Sequence, residues 1–158
     1  MTNILGIDPG LDGALAIVSG DTVVAVQDMP TNTVTVNGKQ RRIVDAYALA
    51  RWIDAQQIDF AVIEDVSSQP KDGAVQAFKF GMTKGHAVQA VASNMIRMFL
   101  AHPSTWKRAM GLEGQDKDAS RRVASQMFPA ASHYWPLKKH DGRAEAVLLA
   151  HYGRKFAQ

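Results

Sequence analysis

Four acidic residues are placed where their carboxylates could act together. Asp8 ends the apolar run NILGID and Glu64 ends the run DFAVIE, so each is expected at the end of a buried strand. Asp141 and Glu145 are four residues apart, a spacing that puts both on one face of a helix. Carboxylates held close together repel unless a cation or a proton relieves them. Because Mg²⁺ and Mn²⁺ prefer carboxylate and water oxygens, the four residues are candidate metal ligands.

Each acid taken alone has a simpler interpretation. An Asp before Pro-Gly, as at Asp8, is most often a turn residue. Asp141 before Gly142 could be a helix N-cap, and Glu145 could be a solvated side chain. The metal-site interpretation is favoured only because the elements that carry the four acids converge in the predicted topology.

The first half of the chain predicts strands followed by a helix. NILGID reads as a strand, and GALAIVSGDTVVAVQDM as two more joined at Ser19-Gly20-Asp21, which together make an antiparallel meander. TVTVNGKQRRIV, with its Asn37-Gly38 turn signal, predicts a short basic hairpin. The apolar spacing of DAYALARWIDAQQ predicts a helix with Asp45 as its N-cap.

The second half predicts crossover units. DFAVIED is expected to form a buried strand, residues 72–92 a helix, and MIRMFLA a strand that ends at His102-Pro103. Further helices are expected over 104–110, 116–127 and 141–154. Right-handed crossovers place helices on both faces of a mixed five-stranded sheet. This α/β architecture, with 1–158 as a single domain, is that of the ribonuclease H-like fold. In it the strands ending at Asp8 and Glu64 are parallel neighbours at the sheet centre, so their carboxylates face one another.

Composition restricts the class of protein further. The 158 residues include no cysteine, which excludes disulfides and thiolate metal sites. No run of about 18 apolar residues is present, and the N-terminus lacks the pattern of a secretory signal, so we expect an intracellular protein without a membrane partner. The formal charge of +3 and the clustering of basic residues weakly favour a polyanionic partner.

Five stretches, in order, resemble motifs of the RuvC family of Holliday junction resolvases. ILGIDPGLDGALAIV is similar to the first-strand motif and FAVIEDV to the second acidic motif. AFKFGMTKGHAVQAV resembles the glycine-containing helix, STWKRAMGLEGQDKDASRRVASQMFP the basic segment, and KKHDGRAEAVLLAHY the terminal acidic helix. The resemblance covers nearly the whole chain and is closest to the branch found in phages and plastids.

The resemblance implies a structure-selective endodeoxyribonuclease that makes paired symmetric nicks in four-way DNA junctions and leaves 5′-phosphate and 3′-hydroxyl ends. It implies two Mg²⁺ ions per site, for which Mn²⁺ can substitute, held by Asp8, Glu64, Asp141 and Glu145. Lys117 would be catalytic, stabilising charge on the pentacovalent phosphate. It further implies a homodimer formed through the helix at 72–92, acting in the cytoplasm of a prokaryote or of a phage-infected host.

The sequence departs from the family pattern at two places. The bacterial family places its last two acids three residues apart, whereas Asp141 and Glu145 are four apart. The plastid branch has the spacing of four but carries His at the first of the two positions. His140 is therefore an alternative to Asp141 as the fourth ligand. The bacterial family also has an aromatic residue soon after the second acid, which stacks at the junction centre. Here Val66, Ser67 and Ser68 occupy that region.

Several basic residues are candidate phosphate contacts, which would position the DNA arms without reading sequence. They are Arg41, Arg42, Lys71, Lys79, Lys84, Lys107 and Lys138. For Trp106 and Trp135 we favour core packing over base stacking. A further group of large apolar residues is expected in the core or at a subunit interface: Phe78, Phe80, Met82, Met95, Met98 and Phe99.

Three alternative functions remain open from the sequence. The same chemistry could serve forks, flaps or other branched DNA during phage DNA processing. A catalytically inactive junction binder is disfavoured, since such a domain has no need for a repulsive acidic cluster. An actin-like nucleotide-binding domain shares the first-strand motif, but 158 residues are few for its two lobes, so no nucleotide cofactor is expected.

Overall fold

The computed structural model describes all residues, 1–158. Its strands are β1 (Asn3–Asp8), β2 (Ala14–Ser19), β3 (Thr22–Asp28), β4 (Thr31–Val36), β5 (Lys39–Val44), β6 (Phe60–Glu64) and β7 (Arg97–Ala101). Its α-helices are α1 (Ala46–Asp54), α2 (Ala74–Ser93), α3 (Pro103–Ala109), α4 (Ala119–Met127) and α5 (Asp141–Tyr152). No helix is both long and apolar enough to cross a membrane.

The main sheet has five strands in the order β3-β2-β1-β6-β7. The first three strands form the expected antiparallel meander, and β1, β6 and β7 run parallel. Ile7 pairs with Ile63, so the residues that follow them, Asp8 and Glu64, end neighbouring strands at the same edge of the sheet. The prediction of a mixed ribonuclease H-like sheet is confirmed.

Helices cover both faces of the sheet because each central strand is buried on both sides. On one face, side chains from α3, α4 and α5 enclose Trp106 and Trp135, which confirms core packing for both tryptophans. On the other face, Leu49 and Ile53 of α1, together with α2, pack on β1, β2 and β6. Three residues expected to be buried or at an interface are exposed, namely Phe78, Met82 and Met95, so the core interpretation is wrong for them.

Gly6 allows α5 to pack directly on β1. A Cβ atom at this position would lie 2.0 Å from the backbone oxygen of Ala146 and 2.5 Å from the backbone nitrogen of Ala150. Only glycine permits this approach. The contact brings the first turns of α5 to the end of β1, where Asp8 lies.

The hairpin of β4 and β5 forms a separate two-stranded sheet. Its turn has positive φ at Asn37 (49°) and Gly38 (72°), the conformation that an Asn-Gly pair favours. Beyond the hairpin, the Asp45 side chain accepts a hydrogen bond from the Ala48 N–H over 2.9 Å and caps α1 as predicted.

The segment between α3 and α5 differs from the prediction. Helix α4 begins at Ala119 rather than at residue 116, because the Asp116 side chain accepts a hydrogen bond from the Asp118 N–H and forms a turn instead. Residues Pro129–Tyr134 form a 3₁₀-helix that the apolar spacing did not indicate.

Candidate active site

Three of the four predicted acids come together at the carboxyl ends of β1 and β6. Asp8 and Glu64 end these strands, and Glu145 projects from the second turn of α5. The ammonium nitrogen Nζ of Lys107 lies 3.6 Å from Oε1 of Glu64 and 3.6 Å from Oε1 of Glu145. Both glutamates also raise the pKa of Asp8 by charge repulsion, so the three carboxylates share one small region.

Glu64 is the most rigidly held of the acids. Its side chain is 7% exposed, and its Oε1 accepts a hydrogen bond from the indole Nε1 of the fully buried Trp106 over 3.0 Å. A buried carboxylate needs such partners, because leaving it unsatisfied is costly. The hydrogen bond fixes the direction in which Glu64 presents its other oxygen.

Asp8 has the most strongly perturbed pKa in the site. Burial raises the pKa of Asp8 to about 8, with further contributions from the negative charges of Glu145 and Glu64. The N–H of Gly10, 3.4 Å from Oδ1, and the ammonium of Lys107 oppose the shift. The charged form of Asp8 is therefore disfavoured both by burial and by the neighbouring carboxylates.

Glu145 is held at the opposite side of the cluster. Its Oε1 accepts a hydrogen bond from Oγ of Ser120 over 3.1 Å. Burial raises the pKa of Glu145, an effect that Lys107 opposes and that Glu64 and Asp141 reinforce. Carboxyl groups whose pKa values are raised by burial and by neighbouring carboxylates are common at functional sites.

Helix α5 is fixed in place by contacts near its N-terminus. Arg143 donates to both carboxylate oxygens of Asp28 over 2.6 and 2.7 Å, and to the backbone oxygen of Tyr134 over 2.8 Å. Gly142 lies so close to the Asp8 loop that a Cβ would be 2.8 Å from the backbone oxygen of Asp12 and 3.2 Å from Oδ2 of Asp8. These contacts determine where the acids of α5 lie.

Asp141 begins α5, and its charge helps to raise the pKa of Glu145. It lines a cavity of about 300 Å³ together with Glu145, Lys107 and Lys117, and its Oδ1 accepts a hydrogen bond from the N–H of Gly142 over 3.0 Å. The alternative ligand, His140, lines a neighbouring cleft that Asp141 lines as well. Its Nδ1 accepts a hydrogen bond from the Leu137 N–H over 3.3 Å.

The surroundings of His140 differ from those of the acids. Burial lowers the pKa of His140, and the charges that act on the ring are those of Arg143, Lys139, Asp28 and Arg121, none of which is in the acidic cluster. The contacts of the two candidates therefore favour Asp141 over His140 as the fourth member of the site.

Lys107 is in a different place from the one we expected. The sequence grouped it with surface phosphate contacts, whereas the structure puts its ammonium group between two carboxylates. Burial lowers the pKa of Lys107, but attraction to Glu145, Glu64 and Asp8 outweighs burial, and the pKa is raised. The available signal was that α3 follows directly after β7, whose carboxyl end lies at the same sheet edge as Glu64.

The other basic candidates divide into paired and unpaired groups. Arg42 forms an ion pair with Asp12, and Lys84 forms one with Asp65, the residue after Glu64. Lys117 lies at the rim of the cavity that Asp141 and Glu145 line. The remaining candidates form no ion pair and lie at the surface around the site: Arg41, Lys71, Lys79 and Lys138.

The donor set fits hard divalent cations. All four candidate ligands are carboxylates, which such cations prefer, and repulsion from Glu145 and Glu64 adds to burial in raising the pKa of Asp8. As the side chains stand, no three acidic or histidine residues are grouped closely enough to share one ion, and Lys107 lies between two of the acids.

Comparison with known proteins assigns the chain to a family. The model of the family described as crossover junction endodeoxyribonuclease RuvC matches residues 4–151. A protein of that name from Paenarthrobacter aurescens (strain TC1) is 30% identical over 154 residues, which cover 93% of this chain and 78% of that protein.

Solved structures show the same fold. Thermus thermophilus RuvC superposes with a TM-score of 0.60 at 14% identity, covering 99% of this chain and 98% of that one. The structure titled T. thermophilus RuvC in complex with Holliday junction substrate gives a TM-score of 0.62 at 12% identity, over 99% and 95% of the two chains.

The sheet order is that of the ribonuclease H-like class, with acids at the ends of its two central parallel strands. Within that class, the matches over nearly the whole chain show that it belongs to the RuvC family of crossover junction endodeoxyribonucleases. The resemblance found in the sequence is confirmed. Its closer relation to the phage and plastid branch stays a prediction.

Proposed function

We propose that this protein resolves Holliday junctions by hydrolysing one phosphodiester bond in each of two opposed strands of a four-way DNA junction. The observation that carries the proposal is the convergence of Asp8, Glu64 and Glu145 at the ends of β1 and β6, in a chain of the RuvC family. The products would be nicks with 5′-phosphate and 3′-hydroxyl ends.

The family is dependent on divalent metal, and we propose two Mg²⁺ ions, replaceable by Mn²⁺, held by Asp8, Glu64, Asp141 and Glu145. Such ions lower the pKa of an attacking water and stabilise the leaving oxygen. Asp8 is the natural shared ligand, because it ends the central strand and lies near both glutamates.

The surrounding side chains would orient the acids and neutralise charge. Trp106 holds Glu64, and Ser120 holds Glu145. Lys107 would balance the acids before metal and DNA bind, and its half-buried ammonium remains near enough to contact a phosphate at the site. Lys117, at the rim of the cavity, would stabilise the negative charge that develops on the phosphate.

Unpaired cations around the site would position the DNA arms. Arg41 lies on β5 of the hairpin and Lys79 on α2, across a groove from it, Lys71 precedes α2, and Lys138 lies in the cleft next to Asp141. Contacts of this kind bind phosphates of any sequence and release counterions, so affinity should fall steeply with salt.

A homodimer would supply two identical active sites related by two-fold symmetry, which matches the symmetry of a four-way junction. The exposed face of α2 suits a close contact between helices, because an added Cβ at Gly81 or Gly85 would meet nothing within 4 Å. We place the action of this single nuclease domain, residues 1–158, in the cytoplasm of a prokaryotic cell or a phage-infected host.

The proposal is tested by incubating the protein with four-way, three-way, flap and linear duplex DNA in Mg²⁺. If the protein resolves junctions, we expect paired, symmetric nicks in the four-way junction that ligase can reseal, and little cutting of linear duplex. Faster cutting of flaps or forks would favour a branched-DNA endonuclease of phage DNA processing. If the protein binds the four-way junction but cuts it in neither Mg²⁺ nor Mn²⁺, it is a junction-binding protein without nuclease activity.

A further inference from the structure

The end of strand β6 is held from both faces of the sheet. Successive residues of a strand point to opposite faces, and Ile63 belongs to the core that α1 and α2 cover. Glu64 points to the opposite layer, where its Oε1 meets the indole of Trp106 on α3. Asp65 points towards α2 again and forms an ion pair with Lys84 of that helix. Two consecutive acids thus join one strand end to two different helices.

The ion pair between Lys84 and Asp65 is partly shielded from water. Nζ of Lys84 donates to Oδ1 of Asp65, and the two side chains are 29% and 34% exposed. In the pair of Arg154 and Asp21 the side chains are 46% and 91% exposed. Charges withdrawn from solvent are screened less by salt than exposed ones. The Lys84–Asp65 pair is therefore suited to fix the position of the strand end relative to α2.

Asp65 is also the last residue of this segment that the sheet supports. Its backbone N–H donates to the carbonyl oxygen of Ala101, at the end of β7, over 2.8 Å. Residues 66–73, which follow, contain no helix or strand, and α2 begins only at Ala74. Segments with few contacts move more easily than the elements they join, so the direction of the strand end depends on its last anchors. Asp65 provides two of these anchors, one through its N–H and one through its carboxylate.

The pairing argues against a phosphate contact for Lys84, which is how the sequence groups it. Asp65 forms no ion pair with any other cation. A phosphate that captured Lys84 would leave a partly buried carboxylate without its partner, which is unfavourable. A role for Lys84 within the protein is therefore favoured over a role in holding DNA.

We propose that Lys84 and Asp65 are positioning residues for Glu64, because their ion pair ties the end of β6 to α2 and so fixes the direction of the Glu64 carboxylate. Trp106 acts on that carboxylate directly, whereas the ion pair acts through the backbone of the next residue. The inference rests on the proposed function, since it takes Glu64 as a ligand of divalent ions.

The test is Mn²⁺ binding to the full-length protein without DNA, measured from the paramagnetic resonance signal of the free ion. Lys84→Met should weaken Mn²⁺ binding about 10-fold, as loss of a group that holds a metal ligand commonly does. Removal of a cation near the site would by charge alone strengthen Mn²⁺ binding. Weaker binding therefore distinguishes a positioning role from a simple effect of charge, and unchanged or tighter binding by Lys84→Met would overturn the proposal.

Further variants make the result specific to the ion pair. Asp65→Asn should weaken Mn²⁺ binding, and the double variant with Lys84→Met should be no weaker than either single variant, because the link is already lost. Lys84→Arg keeps a cation opposite Asp65 and should bind Mn²⁺ like wild type. Arg154→Met breaks the more exposed pair with Asp21 and serves as the matched control, with Mn²⁺ affinity unchanged. Additive losses from Asp65→Asn and Lys84→Met would contradict a shared role.

Junction binding and sedimentation separate the remaining explanations. In Ca²⁺, used in place of Mg²⁺ to prevent cutting, Lys84→Met should keep the junction affinity of wild type. Weaker binding with a salt slope reduced by about 1 would instead make Lys84 a phosphate contact. Lys84→Met should also sediment like wild type, and a change from dimer to monomer would assign Lys84 to the subunit contact and overturn the proposal.

Cleavage of the four-way junction by wild type in Mg²⁺, measured in parallel, keeps the two hypotheses apart. If wild type cleaves and Lys84→Met binds Mn²⁺ normally, the positioning role alone is rejected. If Lys84→Met weakens Mn²⁺ binding but wild type does not cleave, the nuclease function alone is rejected. Absence of Mn²⁺ binding by wild type would reject Glu64 as a metal ligand, and the positioning role with it.

Discussion

The indole Nε1 of Trp106 donates a hydrogen bond to Oε1 of Glu64 over 3.0 Å, and the same oxygen lies 3.6 Å from Nζ of Lys107. Two consecutive residues of α3 thus stabilise one buried carboxylate, the first by a directional bond and the second by charge. Because Trp106 is fully buried, its position is set by the core, and the orientation of Glu64 depends on the packing of that face of the sheet.

Replacing Trp106 by Phe should therefore reduce both stability and activity. The buried carboxylate of Glu64 would lose a hydrogen bond, which is worth about 1–3 kcal/mol in the free energy of unfolding. Cleavage should fall while junction binding in Ca²⁺ is kept. Trp135→Phe is the matched control, because that indole donates to Oγ of Ser125 over 2.8 Å on α4. Trp135→Phe should lower the free energy of unfolding without lowering the cleavage rate per folded molecule. An equal loss of activity in both variants would contradict this role of Trp106.

Asp8→Asn should abolish cleavage in Mg²⁺ and leave junction affinity nearly unchanged. The amide removes the negative charge that a divalent ion needs, while the cationic surface that binds phosphates is untouched. Asp21→Asn, at a 91% exposed side chain paired with Arg154, provides a control that should cleave normally. Surviving cleavage in Asp8→Asn would show that the metal site is assigned to the wrong residues.

The raised pKa of Asp8 predicts how stability changes with pH in the absence of metal. Its carboxyl group titrates near 3.8 in the unfolded chain and at about 8 in the folded one, so between these values the folded state binds the extra proton. The free energy of unfolding should fall as pH rises from 4 to 8, since each pKa unit is worth about 1.4 kcal/mol. Glu145, whose pKa is also raised, acts in the same direction.

Comparing wild type with Asp8→Asn isolates this effect, because His140 and His151, whose pKa values are lowered, contribute to both proteins. Urea unfolding in EDTA should show the variant becoming the more stable protein towards pH 8, with a flatter pH dependence. A variant that is less stable than wild type at pH 8 would be inconsistent with a carboxyl group whose charged form is disfavoured.

Lys107 and Lys117 should separate into two roles. Lys107→Met removes the cation between Glu64 and Glu145, so metal-free protein should melt at lower temperature at pH 7 and also cleave more slowly. Lys117→Met, which breaks no ion pair, should slow cleavage without changing the melting temperature. Thermal unfolding in EDTA and single-turnover cleavage measure the two effects, and equal destabilisation by both variants would contradict the distinction.

The strand acids could be predicted from the sequence because their positions follow from local pattern. Asp8 and Glu64 each end an apolar run, and the parallel arrangement of the two strands follows from the order of elements. The order of elements places the start of α3 at the same sheet edge as Glu64, but it does not say that Trp106 and Lys107 are the residues of α3 that reach the carboxylate. That depends on the angle at which α3 leaves β7.

The requirement for glycine at position 6 illustrates the same limit. Within NILGID it reads only as a small residue in a strand, whereas its cause is a backbone contact with Ala146, 140 residues later in the chain. The 3₁₀-helix at Pro129–Tyr134 also depends on distant contacts, since Arg143 of α5 bonds the Tyr134 carbonyl.

The same packing of α5 on β1 has a consequence for synthesis of the protein. Both strand acids are translated before Glu145 and before the helix that shields the face of β1. A chain arrested on the ribosome before α5 emerges would carry Asp8 and Glu64 without the element that completes their cluster. The cluster of Asp8, Glu64 and Glu145 therefore forms only after α5 has been made and has packed on β1.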